Sequence, residues 1–484
     1  MSIEDMSIED MSIEDMSIER ETMSRRHLLR KASMGFGGLA LCGMLHDEAQ
    51  AAAPQSGKTK LPKTHFPAKA KSVIFMFMDG GVSQVDTFDP KPQLDKDHGQ
   101  KPKFKTDATV FNAKGNLLAS PWKFKQYGES GLPISDLFPN LGTCADDLCI
   151  IRSMTAFSAN HPNAVYGIHT GHPLLGWPSM GAWTSYGLGS VNENLPSFVV
   201  LHGGITPNGG VPNFGSGFLP SNHSGAVLEP GKQMRNIVRR EAPEIQQKKL
   251  ARLKEIDGDL LGQLGHAPQV EAAIRNHELA FRMQMEVPDA MDLSGETQAT
   301  KQAYGLETEW GNTRKFGTQC LLARRMVERG VRFIELTTSG GNGDRWDQHG
   351  NIKDGHAKNA RSVDQPIAAL IKDLKQRGLL DSTLIVFSGE FGRTPFAQGN
   401  GRDHNPQGFS MWMAGGGAQG GIAYGATDEY GYRVIENKLT VHDMHANMLH
   451  LLGIDHKRLT VRFSGRDMRL TDVHGTIVPE IVGT

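Results

Sequence analysis

The sequence predicts an α/β protein with a mostly parallel central sheet sandwiched between helices, and three observations carry this. Six short apolar runs stand along the chain: SVIFMFMDGG (72–81), DLCIIRSM (147–154), SFVVLHGG (197–204), VRFIELTT (331–338), TLIVFSGE (383–390) and FSMWMAGG (409–416). Near-continuous apolarity over so few residues is the pattern of strands buried on both faces. Segments of helical period lie between them, and NTRKFGTQCLLARRMVERG (312–330) and DQPIAALIKDLKQRG (364–378) each end in a glycine stop. Strands that alternate with such helices imply right-handed crossovers and a parallel sheet.

Residues 1–22 open with a five-residue unit, MSIED, which recurs with its fourth copy ending in Arg, and are expected to be a repetitive tail. An alternative start is Met23. From there residues 23–53 have the layout of an export signal: the paired Arg25 and Arg26, an apolar stretch from Ala32 to Leu45, then AQAAA with small residues spaced for cleavage. The paired arginines point to the twin-arginine route, which carries folded proteins. The apolar stretch is about 14 residues, short of the roughly 20 that span a bilayer, so no stable membrane span is expected. Leu41 before Cys42 is too large for the usual lipoprotein signal, so the product is expected to be periplasmic or secreted.

A linker over 54–70 leads into an α/β domain over 71–475, with a tail over 476–484. Within the domain, residues 241–300 begin as a charged, glycine-poor stretch of helical period and are expected to form a helical insertion beside the sheet. Near the C-terminus, Thr440 stands three residues before Asp443, a capping-box arrangement with Asp in place of Glu, and Gly453 closes that helix.

The net charge of −1 gives no electrostatic footprint for nucleic acid. Cleavage of the signal would leave Cys144, Cys149 and Cys320. An odd number without CxxC indicates neither a zinc knuckle nor a disulfide framework, and both a Cys144–Cys149 bridge and buried free thiols stay open.

The chemistry gathers at strand ends. In a parallel α/β sheet, ligands bind beyond the carboxyl ends of the strands. Asp79 follows SVIFMFM, Asp347 and His349 follow VRFIELTT, and Glu390 ends TLIVFSG with Arg393 just after it. Asp403 and His404 precede FSMWMAGG. The segment NHPNAVYGIHTGHP, with His161, His169 and His172, follows DLCIIRSM. Clustered acids without a cation raise their own pKa values, and a metal relieves that cost. Mixed carboxylate and imidazole ligands suit zinc or manganese, with calcium as an alternative. The expected ligands are Asp79, Asp347, His349, Glu390 and His404. His442, His445, His450 and His456 lie on or after a helix whose Leu and Met positions serve the core, and are read as structural.

In their order, the strand ending at Asp79, the Thr170-Gly171 pair, Asp347 with His349, Ser388-Gly389-Glu390 and His404 resemble the alkaline phosphatase and sulfatase superfamily. More specifically, MDGGVSQVDTFDPKP, RWDQHGN, SGEFGRTP, GRDHNP and GRDMRLTDVHG are similar to an exported bacterial family called domain of unknown function 1501, over about residues 70–475. The superfamily resemblance implies an alkaline phosphatase/sulfatase-like fold and a metal-dependent hydrolase of sulfate or phosphate esters. The substrate is then a small-molecule or polysaccharide ester, and the twin-arginine translocation machinery is a partner.

Two departures modify that expectation. His161 stands nine residues before Thr170, where the sulfatases of that superfamily carry their cysteine nucleophile and other members carry Ser or Thr. Glu390-Phe391-Gly392 replaces Asp-His-Gly, which removes an imidazole and favours one metal over two. His161 is therefore left with three roles: metal ligand, nitrogen nucleophile or general acid. Arg393 is expected to hold the anion, since a guanidinium matches its oxygens bidentately. The other class of function is a non-catalytic binding protein on a degenerate sulfatase-like scaffold.

Overall fold

The computed structural model describes residues 64–107, 114–231, 241–264, 267–338 and 345–483. Outside 462–466 these belong to one compact unit. The expected repetitive tail (1–22), the signal (23–53) and most of the linker (54–70) lie outside the described residues.

The strands of the central sheet are β1 (Ser72–Phe77), β2 (Leu148–Thr155), β3 (Phe198–Leu201), β4 (Ala226–Leu228), β5 (Phe333–Thr337) and β6 (Thr383–Ser388). A hairpin follows, β7 (Gly392–Gln398) and β8 (Gly401–Asn405), and then β9 (Phe409–Ala414), β10 (Ile422–Tyr424) and β11 (Leu439–Thr440). The main sheet has nine strands in the order β10-β2-β9-β6-β1-β5-β3-β4, with β11 also on β2. All six apolar runs are strands of it. The sheet is mostly parallel, as the sequence predicts, with one exception. β9 runs antiparallel to both its neighbours, Met413 pairing with Val386 on one side and Cys149 on the other.

Alternation along β1 fills two cores. Ile74 and Met76 point into one with Ile334, Phe387 and Trp412, while Val73, Phe75 and Phe77 point into the other with Val386 and Met411. The relevant helices are α1 (His161–Thr170), α2 (Met180–Leu188), α3 (Pro243–Leu264), α4 (Pro268–Met291), α5 (Gly311–Glu328), α6 (Ile352–Gln376), α7 (Val441–Leu451) and α8 (Pro479–Val482). Phe316, Cys320 and Leu321 of α5 and Ile367 and Leu370 of α6 cover the first face. Val165 and Ile168 of α1, Trp183 of α2 and Met444 and Met448 of α7 cover the second. Both faces are thus dry, which explains the near-continuous apolarity of the strands.

Local signals hold well at helix ends. The Thr440–Asp443 capping box forms, with the Thr440 N–H donating to Asp443 Oδ2 at 2.8 Å. Two expectations are corrected. α6 starts at Ile352, not near 364, and carries Pro366 in its interior. Residues 476–484 are no loose tail: Val478, Ile481 and Val482 are buried in the second core. The linker's last residue also packs, Ala70 donating its N–H to Leu451 O at 2.8 Å. Cys144, Cys149 and Cys320 are buried free thiols, so the Cys144–Cys149 bridge is absent. Helices α3 and α4 lie within residues 241–300. Among the described residues no helix is long and apolar enough to cross a membrane.

Candidate metal centre

The carboxyl ends of β1, β5, β6 and β2 share one edge of the sheet. β9 runs the other way, so its first residue, Phe409, lies at that same edge beside Met154. A parallel strand there would have carried His404 to the opposite edge.

Backbone contacts fuse the arriving loops. The Trp346 N–H donates to Asp79 O at 3.0 Å, and the Arg402 N–H donates to Gln348 O at 3.0 Å. The Gly80 N–H donates to both oxygens of Glu390, at 3.0 and 3.1 Å. Gly80 has φ +113°, and a Cβ there would lie 2.5 Å from Asp347 N and 2.8 Å from Trp346 N. The glycine after Asp79 therefore serves close approach of two backbones.

Asp347 is the hub. Its Oδ1 lies 3.0 Å from His349 Nε2 and 3.3 Å from His404 Nε2, and its Oδ2 lies 3.3 Å from His161 Nε2. His161, the first residue of α1, places Nδ1 2.5 Å from Glu390 Oε1. Phe391 walls the site, its ring 4.8 Å from that of His161 and 4.6 Å from that of His404. The structure thus gathers Asp347, His349, His404, His161 and Glu390. Asp79 lies behind them, buried, with Arg345 Nε 3.1 Å from its Oδ2.

Charge explains the titration. Burial, aided by the Glu390 charge, raises Asp79 to about 7. Burial would lower His161, yet the carboxylates of Asp347 and Glu390 outweigh it and raise the ring to about 9. Burial acts to raise Asp347 as well, but three imidazoles and Arg393 hold it far below the carboxylate range. Burial lowers His404, against the pull of the Asp347 carboxylate.

The donor set fits a cation. His404 Nδ1 donates to Ala159 O at 2.6 Å, which turns Nε2 toward Asp347 Oδ1. Gln398 Oε1 on Nδ1 turns His349 Nε2 toward the same oxygen. Asp347 Oδ1 thus meets two imidazole nitrogens, at 3.0 and 3.3 Å. Neither oxygen of Asp79, nor Asp403 Oδ2, nor His161 Nε2 has a hydrogen-bond partner among the described residues. Two triplets bring ligand atoms within 4.8 Å of one another: His161, Asp347, His404 and His349, Asp403, His404. Asp403, fully buried, joins the cluster though the expected ligand set omitted it. The DH pair in GRDHNP is the signal for it.

Arg393 is placed differently from the expectation. It is fully buried, and its guanidinium faces inward. Nε donates to Gly81 O at 3.0 Å, Nη1 to Arg402 O at 3.1 Å, and Nη2 to Gly80 O and, at 2.6 Å, to Asp347 Oδ1. Those donors hold the loops and Asp347, and are not presented to an anion. Arg345, a side chain 30% exposed, is instead the arginine beside Asp79, and its Nη2 donates to Thr206 O at 3.3 Å. It is the R of RWDQHG, and its adjacency to the Asp347/His349 pair is the sequence signal that could have found it.

His169 and His172 stay out of the site. His169 is buried between Val165 O at 2.7 Å and Glu335 Oε1 at 2.8 Å. Glu335 sits mid-strand on β5, beside Phe75 and Val200, so the imidazole supplies the charge it needs there. His172 stacks on Trp177 with ring centroids 4.2 Å apart. His442 and His445 donate to the last carbonyls of α1, at Gly171 and Ile168, each at 2.9 Å.

No curated protein matches the chain. Among solved structures it is similar to the phosphonate monoester hydrolase of Agrobacterium radiobacter, at 10% identity over 85% of this chain and 77% of that one, TM-score 0.37. It is also similar to the alkaline phosphatase from the Antarctic bacterium TAB5, at 10% identity, covering 74% and 94%, TM-score 0.34. PsFucS1 sulfatase from Pseudoalteromonas sp. matches at 11% identity, covering 79% and 68%, TM-score 0.35. One family model matches residues 70–482, nearly all of the described chain, and the chain belongs to that family, described as protein of unknown function (DUF1501).

Proposed function

We propose that this chain is an exported, metal-dependent hydrolase of sulfate or phosphate esters that works without a Ser, Thr or Cys nucleophile. The observation that carries it is the convergence of His161, Asp347 and His404, whose ligand atoms lie within 4.8 Å of one another. Donor atoms about 3.3 Å apart match bonds of roughly 2.0–2.1 Å to a tetrahedral ion. Asp347, His161 and His404 would hold it, with His349, Asp403, Glu390 and Asp79 around them. Both triplets need His404, and its Nδ1 is committed to Ala159, so one ion is the expected content. Such an ion, when bound, polarises an ester oxygen and makes water more acidic.

The residues divide the remaining work. Both nitrogens of His161 face carboxylates, which favours metal ligand or general acid over nucleophile. Arg393 positions Asp347 against the imidazoles. Arg345 is the cation available to an anionic ester, released from Asp79 as the cluster's charge is neutralised. Phe391 excludes water from the imidazole faces.

The test is metal content of the purified protein, then a screen of sulfated and phosphorylated esters with Zn²⁺, Mn²⁺ and Ca²⁺ supplied separately. Metal with turnover supports the hydrolase. One observation favours a second reading, a binding protein: an imidazole stands where the resemblance places the oxygen or sulfur nucleophile. Stoichiometric metal without turnover on any ester in the screen would select that reading.

A further inference from the structure

Helix α3 is 22 residues long and barely packed. None of its described side chains is buried. Ile245, Leu253, Ile256, Leu260 and Leu264 are 40–52% exposed. Residues 253, 256, 260 and 264 fall at i, i+3, i+7 and i+11, one continuous apolar face. Toward α4 the helix turns only half-buried side chains, Leu250 and Leu261 among them. The gap between the two helices keeps a volume of about 230 Å³, lined by Leu253, Ile274, His277 and Phe281. Interiors are close-packed, so a gap of that size beside a bare apolar stripe marks a missing neighbour. Gly258 and Gly262, each unfavourable inside a helix by about 1 kcal/mol, have open space where a Cβ would stand.

The charges say what covers this face. Lys248 and Arg252 lie in the first half of α3 and Glu255 and Asp259 in the second, all along one flank of the stripe. A second α3 laid antiparallel about a two-fold near residue 254 brings Lys248 toward Asp259 and Arg252 toward Glu255 of the second copy. An axis one residue further along sets Ile245 against Leu264 and Leu253 against Ile256 of that copy, so a two-fold near 254 brings both sets within one residue of register. A membrane surface fits poorly, because interfacial helices carry an excess of Lys and Arg on the polar face, while here Lys248, Lys249, Arg252 and Lys254 are balanced by Glu244, Glu255, Asp257 and Asp259.

We infer that α3 is a self-association face through which two copies of this chain pair antiparallel. The experiment is sedimentation velocity on the full chain at rising concentration, with far-UV circular dichroism as the check on folding. The wild type should sediment as a dimer. Ile256→Glu with Leu260→Glu should sediment as a monomer with an unchanged spectrum, since both side chains are exposed. Lys248→Glu with Arg252→Glu should lose the dimer, as should Glu255→Lys with Asp259→Lys, while an equimolar mixture of the two should regain it. That rescue is specific to pairing through this flank of the helix. A wild type that stays monomeric overturns the inference, as does a dimer indifferent to these changes. A monomer that floats with phosphatidylglycerol–phosphatidylethanolamine vesicles overturns it in favour of a membrane surface.

Discussion

Replacing Arg393 with lysine separates two roles that one arginine could have. Arg393 is fully buried and donates to Gly81 O, Arg402 O, Gly80 O and Asp347 Oδ1. These four acceptors lie around the rim of a planar fork. A lysine ammonium is a point with three donors on a flexible stem, so Arg393→Lys keeps the charge near Asp347 but leaves at least one of the four acceptors unmet. An unsatisfied buried acceptor costs about 1–3 kcal/mol, which sets the least loss expected. That is a large fraction of the roughly 5–15 kcal/mol that holds a typical domain. Urea titration should show a midpoint shift of that order, and elemental analysis should show reduced metal, because Asp347 loses the group that fixes it. An unchanged midpoint and metal content, with KM alone raised, would refute the reasoning and restore Arg393 as an anion anchor.

Other outcomes follow from the same geometry. His161→Ala should lower bound metal, with activity partly restored by excess ion; intact metal with abolished turnover and a trapped phospho-histidine would establish the nucleophile instead. Gly80→Ala should cost at least about 2 kcal/mol and perturb the centre, since φ +113° is strained for alanine and its Cβ meets the Asp347 backbone; equal stability of the variant would count against the close approach. Burial, which the Asp86 charge does not offset, pushes His356 down to about 3, and burial does the same to His445. Their folded pKa values lie below the unfolded value of about 6.5, so the unfolded chain binds the extra protons and stability falls as pH drops from 6.5 toward 3. Each contributes up to about 1.4 kcal/mol per pH unit, and His445→Gln should flatten the urea-midpoint slope by one such share; an unaltered slope would show that His445 titrates normally. Replacing Arg25 and Arg26 with lysine should retain the unprocessed chain in the cytoplasm, and normal export of that variant would remove the twin-arginine assignment.

Much of the fold was legible because its signals are local. β1 and β6 announce themselves as unbroken apolar runs, and Gly330, Gly378 and Gly453 stop their helices with φ of +80°, +67° and +76°. The Thr440–Asp443 box needs only residues three apart. The site's acids were legible for a related reason: a strand end fixes where Asp79 and Glu390 arrive, whatever the strand's neighbours. The start of α6 was hidden, because Pro366 reads locally as a helix beginning while tertiary packing of Ile352 and His356 extends the helix beneath it. Residues 476–484 read as a tail because too few apolar residues stand together, and only the second core shows that Val478, Ile481 and Val482 have somewhere to go. Three decisions at the centre belonged to the tertiary structure alone. The antiparallel course of β9 brings His404 to the working edge. The carbonyls of Gly80, Gly81 and Arg402 turn Arg393 inward. Ala159 O and Gln398 Oε1 choose which nitrogens of His404 and His349 face Asp347. Each depends on hydrogen bonds between residues 9 to 313 apart in the chain, and spacing along a sequence carries no information about strand direction or the orientation of a ring.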